Sequence, residues 1–450
     1  MPAVFGCLGV MLAVICLWFL LFKRPIYEGV AISFIVLVAL TGTWNKIGFY
    51  FADAMKTSLL YSMVAFVAMS QLLSKTKIID NCVHIIIALL GRIPGGAGYA
   101  SIVASSFMGA LSGSGPGNVM ATGTITIPAM KKTGFPPELA ANVESTASYL
   151  GNMIPPSANI VAALGAFMAV YPDSDLTTGK FWMVCWGISL WFILSRILQL
   201  FAFCKYYKIK PMAKEDMPNL RNTLKEGWTG LLLPVIILAP FVFDSLFNAT
   251  LLTERLGKTG AKHFSSSLLI FVAGIASVYG IFAAKEKVTV KSMIDTFSKG
   301  VKGLAPIVST CIFGYTIGAL FEDIKAGEQM QQVFESLNFG KLGLVFVIPL
   351  ITCFISMVIP GSSIVVMFGA VFINLFTSAG VNPLLIAAML PCMCGVMCGI
   401  TPPFALGMYA GMSIAESDFD KTLKNDLWWV AVQYIMEVIV LMGWLPIIGL

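Results

Sequence analysis

An apolar run long enough to cross a bilayer, yet broken in its middle, constrains a fold more than any composition can. Residues 109–166 hold two such runs. The first reaches Leu111, breaks at Ser112-Gly113-Ser114-Gly115-Pro116-Gly117, resumes to Pro128 and stops at Lys131-Lys132. The second starts at Pro136-Pro137 and breaks at Gly151-Asn152 and again at Pro155-Pro156-Ser157. Backbone inside a bilayer must find hydrogen-bond partners, so it unwinds only where protein or a wet cavity receives it. Two breaks this close together point to a binding site at mid-membrane depth. Simple kinking of packed helices is the bland alternative. It is disfavoured because breaks with these features recur in the second half.

The rest of the chain has the composition of a membrane protein. Of its 450 residues, 58% are hydrophobic and 12% charged, with a net charge of +6. The mean hydropathy of +0.86 excludes a soluble domain. Its 10 cysteines lie in or beside apolar segments, which argues against a secreted disulfide framework. No basic residue precedes the first segment, and Lys23-Arg24 follow it. That predicts an uncleaved span with its N-terminus outside.

Apolar runs sit near 3–22, 26–42, 57–73, 181–204, 228–248, 264–284, 304–321 and 427–449, with broken ones at 137–171 and 382–413. About ten crossings are therefore expected. The polar segments 43–56 and 285–303 read as helices lying along the membrane surface. Segment 92–132 has two arms too short to span, at ~1.5 Å per residue, with basic residues at both ends. This predicts a re-entrant helical hairpin, and 341–378 has the same form around Pro360-Gly361-Ser362-Ser363. Threaded from outside, most Lys and Arg fall in the cytoplasm. The loop Glu254–His263, with Arg255, Lys258 and Lys262, is the main discordance.

The halves repeat. At an offset of 246 residues, Gly115 matches Gly361, Gly134 matches Gly380 and Pro137 matches Pro383. Five crossings plus one hairpin per half make the repeats inverted, an architecture of secondary transporters. The expected fold is thus all-α and polytopic, with residues 1–205 and 228–450 as repeats around a cytoplasmic linker at 206–227. Both termini then lie outside. Surface helices that connect fixed crossings to hairpins and broken helices predict an elevator-type motion.

Chemistry concentrates at the breaks. The arm beginning near Pro116 offers free N–H groups, which attract anions, and the arm ending near Leu111 offers carbonyls, which coordinate Na⁺. Ser112, Ser114, Asn118, Ser362 and Ser363 add neutral oxygens. Thr146, Ser148, Gly151 and Asn152 face them on the first broken helix, and Gly395, Gly399 and Thr401 on the second. Such a set suits an alkali cation better than a transition metal. Ionisable residues inside spans are Glu144, Arg196, Asp244 and Glu437. Glu144 is a candidate for holding a cation or proton. Arg196 and Glu437 are expected to snorkel or pair, and Asp244 to be interfacial. Enzyme signatures fail: His84 and His263 lack an HExxH context, and Gly257-Lys258-Thr259 lacks the first P-loop glycine, replaced by Leu252. Cys392, Cys394 and Cys398 have no identifiable partner ligands for a metal.

The stretch GSGPGNVMATGTITIPAMKKTGFPPELAANVESTASYLGNMIPPS (113–157) resembles the signature region of the large membrane subunit of TRAP (tripartite ATP-independent periplasmic) transporters. GVMCGITPPFALGMYAG (395–411), IAESDF (414–419) and Trp444-Leu445-Pro446 resemble that family's second half. The resemblance implies a Na⁺-driven elevator carrier of the ion transporter superfamily in a bacterial or archaeal cytoplasmic membrane. It also implies a small membrane subunit of about four helices and an extracytoplasmic solute-binding protein that delivers an organic acid, such as a C4-dicarboxylate. It implies Na⁺ sites drawn from Ser112, Gly113, Ser114, Asn118, Gly151, Asn152, Pro155, Ser363, Gly399 and Thr401. Substrate would meet Ser114, Gly115, Pro116, Asn118, Pro360, Gly361, Ser362 and Ser363. Membrane lipid is an expected partner and nucleic acid is not. Two departures stand out: Phe404-Ala405-Leu406-Gly407 replaces the family's more usual Val-Gly-Leu-Asn, and Glu144 resembles a branch whose two membrane subunits are usually fused. A carboxylate carrier of the same superfamily that needs no binding protein, coupled to Na⁺ or H⁺, is the alternative. A channel would want rings of charge or carbonyl filters.

Overall fold

A computed structural model describes residues 3–56, 58–73, 76, 78–112, 115–283, 308–309, 312–326, 329, 332, 340–357, 361–402 and 405–450. Gly113, Ser114, Pro360 and the expected surface helix 285–303 lie outside the described residues, as does the side chain of Ser112. Among the described residues the chain is helical, with no strand.

The first three helices are α1 (Ala3–Cys16, extended by a π turn over Leu17–Leu21), α2 (Ile26–Thr41) and α3 (Ile47–Lys56). Gly42 ends α2 at φ 71°, a left-handed stop that a side chain would strain. The surface-helix expectation at 43–56 thus falls on a real helix, which buries Tyr50 and Ala54 and exposes Phe49 and Met55. Next come α4 (Ser58–Leu73) and α5 (Ile78–Leu90). No apolar run was expected at α5, because Asp80, Asn81 and His84 interrupt its hydrophobic residues.

The expected first hairpin is α6 (Gly96–Ser112) and α7 (Gly115–Lys132). The first broken helix is α8 (Pro137–Leu150), a 3-10 turn (Gly151–Met153) and α9 (Ala158–Val170). Proline at the first turn suits the start of α8, where its missing N–H costs nothing. Ser157 caps α9 by accepting from the Asn159 amide. Then follow α10 (Thr178–Tyr206), α11 (Leu220–Gly227) inside the linker, α12 (Leu232–Phe247) and α13 (Thr253–Ala283). Glu254–His263 is therefore helix rather than loop, apart from the step at Gly257 (φ 71°). Burial of Ala261 explains the change: its carbonyl accepts from Asn248 Nδ2 at 3.2 Å, tying the segment to the end of α12.

After a helical stretch over 312–323, the second hairpin is α14 (Lys341–Ser356) and α15 (Gly361–Ser378). The second broken helix is α16 (Pro383–Leu390), a π turn (Pro391–Val396), a 3-10 turn (Met397–Gly399) and α17 (Leu406–Ala415). α18 (Phe419–Leu441) closes the fold. Among the described residues, four helical stretches, Pro137–Val170, Thr178–Tyr206, Leu220–Ala283 and Gly361–Ser378, are long and apolar enough to cross a membrane.

Polar contacts sort the chain's turns into two groups. The base of the first hairpin meets the linker: Met212 N donates to Gly91 O and Lys210 N to Thr133 O, each at 3.0 Å, and Lys132 pairs with Asp216 at 2.6 Å. Elsewhere, Lys46 and Tyr50 both reach Asp323 at 2.8 Å. Lys341 Nζ at the base of the second hairpin donates to Met442 O at 3.2 Å.

Candidate functional site

Both breaks and both hairpin tips converge. Gly109 near the first tip lies against Gly151 backbone to backbone, so that a Cβ on Gly151 would strike Gly109 and Ala110. Gly361, the first residue of α15, lies in the same way against Cys394 and Gly395. The two breaks then join: Asn152 Nδ2 donates to Gly395 O at 2.7 Å. Tyr149, the penultimate residue of α8, puts its buried ring in a slot walled by Gly115, Gly399 and Gly407. A side chain at any of the three would collide with that ring. One aromatic ring thus touches the first hairpin, the second break and the start of α17.

Beside the first tip lies a carboxylate enclosed by hydroxyls. Glu144 is fully buried. Its Oε1 accepts from Thr122 Oγ1 at 2.5 Å, Ser105 Oγ at 2.8 Å and Ser148 Oγ at 3.1 Å. Its Oε2 accepts from Thr126 Oγ1 at 2.5 Å and Ser101 Oγ at 2.6 Å. Ser101 and Ser105 come from α6, Thr122 and Thr126 from α7, and Ser148 from α8 itself. Charge-assisted bonds are the stronger kind, and these tie both hairpin arms to the broken helix. Asn118 adds to the tie, with Nδ2 donating to Ser105 O and Ser148 Oγ, each at 2.8 Å.

The expected site residues divide accordingly. Gly115, Asn118, Gly151, Asn152, Pro155, Gly361, Ser363, Gly399 and Thr401 are buried around the convergence, with Pro116 and Ser362 half-buried. Thr401 and Thr146 each donate their hydroxyl proton to a carbonyl one turn back, at 2.7 Å, which leaves oxygen lone pairs to accept. Neutral oxygens and backbone fit a hard monovalent cation. Among the described residues no group of three His, Cys, Asp or Glu could hold a metal. Four hydroxyls around Glu144, and Tyr149, had not been singled out from sequence. A signal did exist: Ser101/Ser105, Thr122/Thr126 and Glu144/Ser148 are each an i,i+4 pair, which puts each pair on one helix face.

The structure decides between the two expectations for Arg196: it pairs inside the bundle and does not snorkel. It is 1% exposed, donates to Trp429 O at 3.1 Å and Gln433 Oε1 at 2.9 Å, and lies 5.4 Å from the centroid of the Trp429 ring. Gln433 in turn donates to Glu437 Oε1 at 3.1 Å and to Cys392 Sγ on the π turn. Asp244 is fully buried within the protein. The Ser265 hydroxyl (2.8 Å) and the Asn248 amide (2.7 Å) satisfy it there.

The family model for the DctM component of the tripartite ATP-independent periplasmic transporter matches residues 7–448. The chain belongs to this family. As a TRAP large permease it is a transport protein of the membrane and not an enzyme. It is 25% identical to the C4-dicarboxylate TRAP transporter large permease protein DctM of Vibrio cholerae, over 86% of each chain. It is 22% identical to the sialic acid TRAP transporter large permease protein SiaM of the same organism, over 94% of this chain and 92% of that one. Those two names carry different substrates, so family membership does not select one. The YdaH transporter of Alcanivorax borkumensis shares the fold, with a TM-score of 0.64 at 17% identity over 90% of this permease and 88% of that chain.

Proposed function

We propose that this permease imports an organic acid across the cytoplasmic membrane of a bacterium or archaeon, driven by Na⁺ entering with it. The observation that carries the reading is the convergence of two breaks and two hairpin tips around neutral oxygens, joined by the Asn152–Gly395 bond. A carboxylate at mid-membrane depth costs several kcal/mol unless charge and hydrogen bonds compensate it. A cation carried alongside supplies that charge. Proton coupling through Glu144 is disfavoured, because five hydroxyl donors already occupy both of its oxygens.

The repeats are inverted in this reading, with about ten crossings and both termini outside. The hairpin bases support it: one gathers with the linker, the other with the end of α18. Hairpins and broken helices form a block that slides against a scaffold of α1, α2, α12 and α13. A small membrane subunit and an extracytoplasmic binding protein complete the transporter.

Uptake in vesicles reconstituted with the partner subunits tests the coupling. It should require a Na⁺ gradient, and undiminished uptake in K⁺ medium at constant pH rejects it. Cysteine pairs between α13 and α15 should trap two different registers. A single covalently locked pair that leaves the transport rate normal rejects the sliding block.

A further inference from the structure

Two of the three basic residues that break the charge pattern of the sequence, Lys258 and Lys262, share a place in the fold. A cavity of about 540 Å³ opens where the ends of α3, α9 and α12 meet α13, and Lys56, Lys258 and Lys262 line it with Asp175 as the one carboxylate. The lysines come from two elements far apart in sequence. Lys262 Nζ donates to Pro172 O at 3.2 Å. Neither Lys56 nor Lys258 makes an ion pair or hydrogen bond among the described residues, and Asp175 pairs with none of the three lysines. Beneath them, the donors of Asn248 and Ser265 are committed to Asp244. The lining therefore carries three positive charges against one negative, in a concavity within the usual ~300–1,000 Å³ range of small-molecule sites. Low-dielectric walls focus such a field and raise the local concentration of anions. Leu164 and Met168 of α9 and Leu269 of α13 supply apolar lining.

We propose that this cavity is an anion-binding vestibule, taking a carboxylate or phosphate oxyanion at the extracytoplasmic end before the mid-membrane site. The inference rests on the topology and the transport reading proposed above, which place α3, the 171–177 turn and the α12–α13 junction outside. Two sources share that chemistry: the free organic acid and an anionic lipid headgroup.

The test is lysine acylation by a water-soluble amine reagent, read by peptide mass spectrometry on the purified permease in phosphatidylcholine nanodiscs. Saturating succinate should slow acylation of Lys56 roughly two- to fivefold relative to chloride at equal ionic strength. The K258Q/K262Q variant should lose that protection, and K258R/K262R should keep it. A second arm adds phosphatidylglycerol and omits succinate. Protection there alone supports the site and assigns it to lipid headgroups. Equal rates in chloride, succinate and phosphatidylglycerol overturn the proposal, as does protection of Lys56 that survives K258Q/K262Q. Na⁺-driven uptake is measured separately in closed vesicles reconstituted from the same purified permease with its partner subunits, so protection without uptake leaves the vestibule standing and removes the transport reading.

Discussion

The hydroxyl cage around Glu144 makes a quantitative prediction. Thr126→Val is nearly isosteric and removes only the hydroxyl that donates to Glu144 Oε2 at 2.5 Å. A hydrogen bond to a charged group contributes about 1.5–3 kcal/mol and a neutral one about 0.5–1.5 kcal/mol. In the wild-type background the substitution should cost the larger figure. With Glu144→Gln already present, the hydroxyl faces a neutral amide and can turn to the Thr122 carbonyl, which stands 3.1 Å away. The cost should then fall to the smaller figure. The coupling between the two substitutions is therefore about 1–2 kcal/mol, above the ~0.5 kcal/mol scatter of independent sites. Unfolding titrations in mixed detergent, run on the wild type, both single variants and the double variant, measure it. Additive costs would refute the cage as a lock between hairpin and broken helix. If Glu144→Gln also left stability untouched while abolishing uptake, Glu144 would be an ion carrier rather than a positioning residue.

Asn152→Leu removes the bond between the two breaks, so Na⁺-dependent uptake should fall at least about tenfold while stability drops by only about 1 kcal/mol. Sodium titration of uptake separates the two effects. Arg196→Ala strips the only cation, among the described residues, from a buried cluster that holds Asp426 and Glu437, and should cost about 3–5 kcal/mol, read as loss of monodisperse protein on size exclusion. The Lys46 ammonium and the Tyr50 hydroxyl hold the Asp323 carboxyl below the usual carboxylate range. A depressed folded-state value means the tether is present above the unfolded carboxylate range and lost as pH falls through the folded one. Protection of the α3 amides, taken relative to intrinsic exchange, should stay constant around neutrality and fall only below about pH 4, with Asp323→Asn removing the dependence.

Much of this was legible in the sequence because local signals carry it. Gly and Pro mark where a helix cannot continue, and α6, α7, α8 and α9 begin and end close to where those residues demand. What sequence reading missed depends on which helix faces which. Arg196 resembles any charged residue two or three turns from a helix end until α18 is seen to lie over it, with Gln433 relaying to Glu437. The partners of Asp244 were not foreseen because its donors come from Asn248 and from Ser265 on the next helix. Tyr149 carried no signal at all, since its slot is built from glycines at 115, 399 and 407. Helix α5 escaped because its polar residues lower the average on which spans are recognised, although a half-buried helix tolerates them.

The bonds that knit the two halves together also set a schedule for making the protein. Asn142 finds its acceptor at Thr422, 280 residues later, and Arg196 waits 233 and 237 residues for Trp429 and Gln433. At ~5–20 residues per second that interval is roughly 10–60 s. During it the first half sits in the membrane with a guanidinium and an amide whose final partners have not yet been synthesised. Lipid cannot satisfy them, so the insertion machinery must keep these helices beside water or protein until α18 arrives. A ribosome stalled before residue 422 would therefore leave a half-protein that quality-control proteases can recognise by its unsatisfied charge.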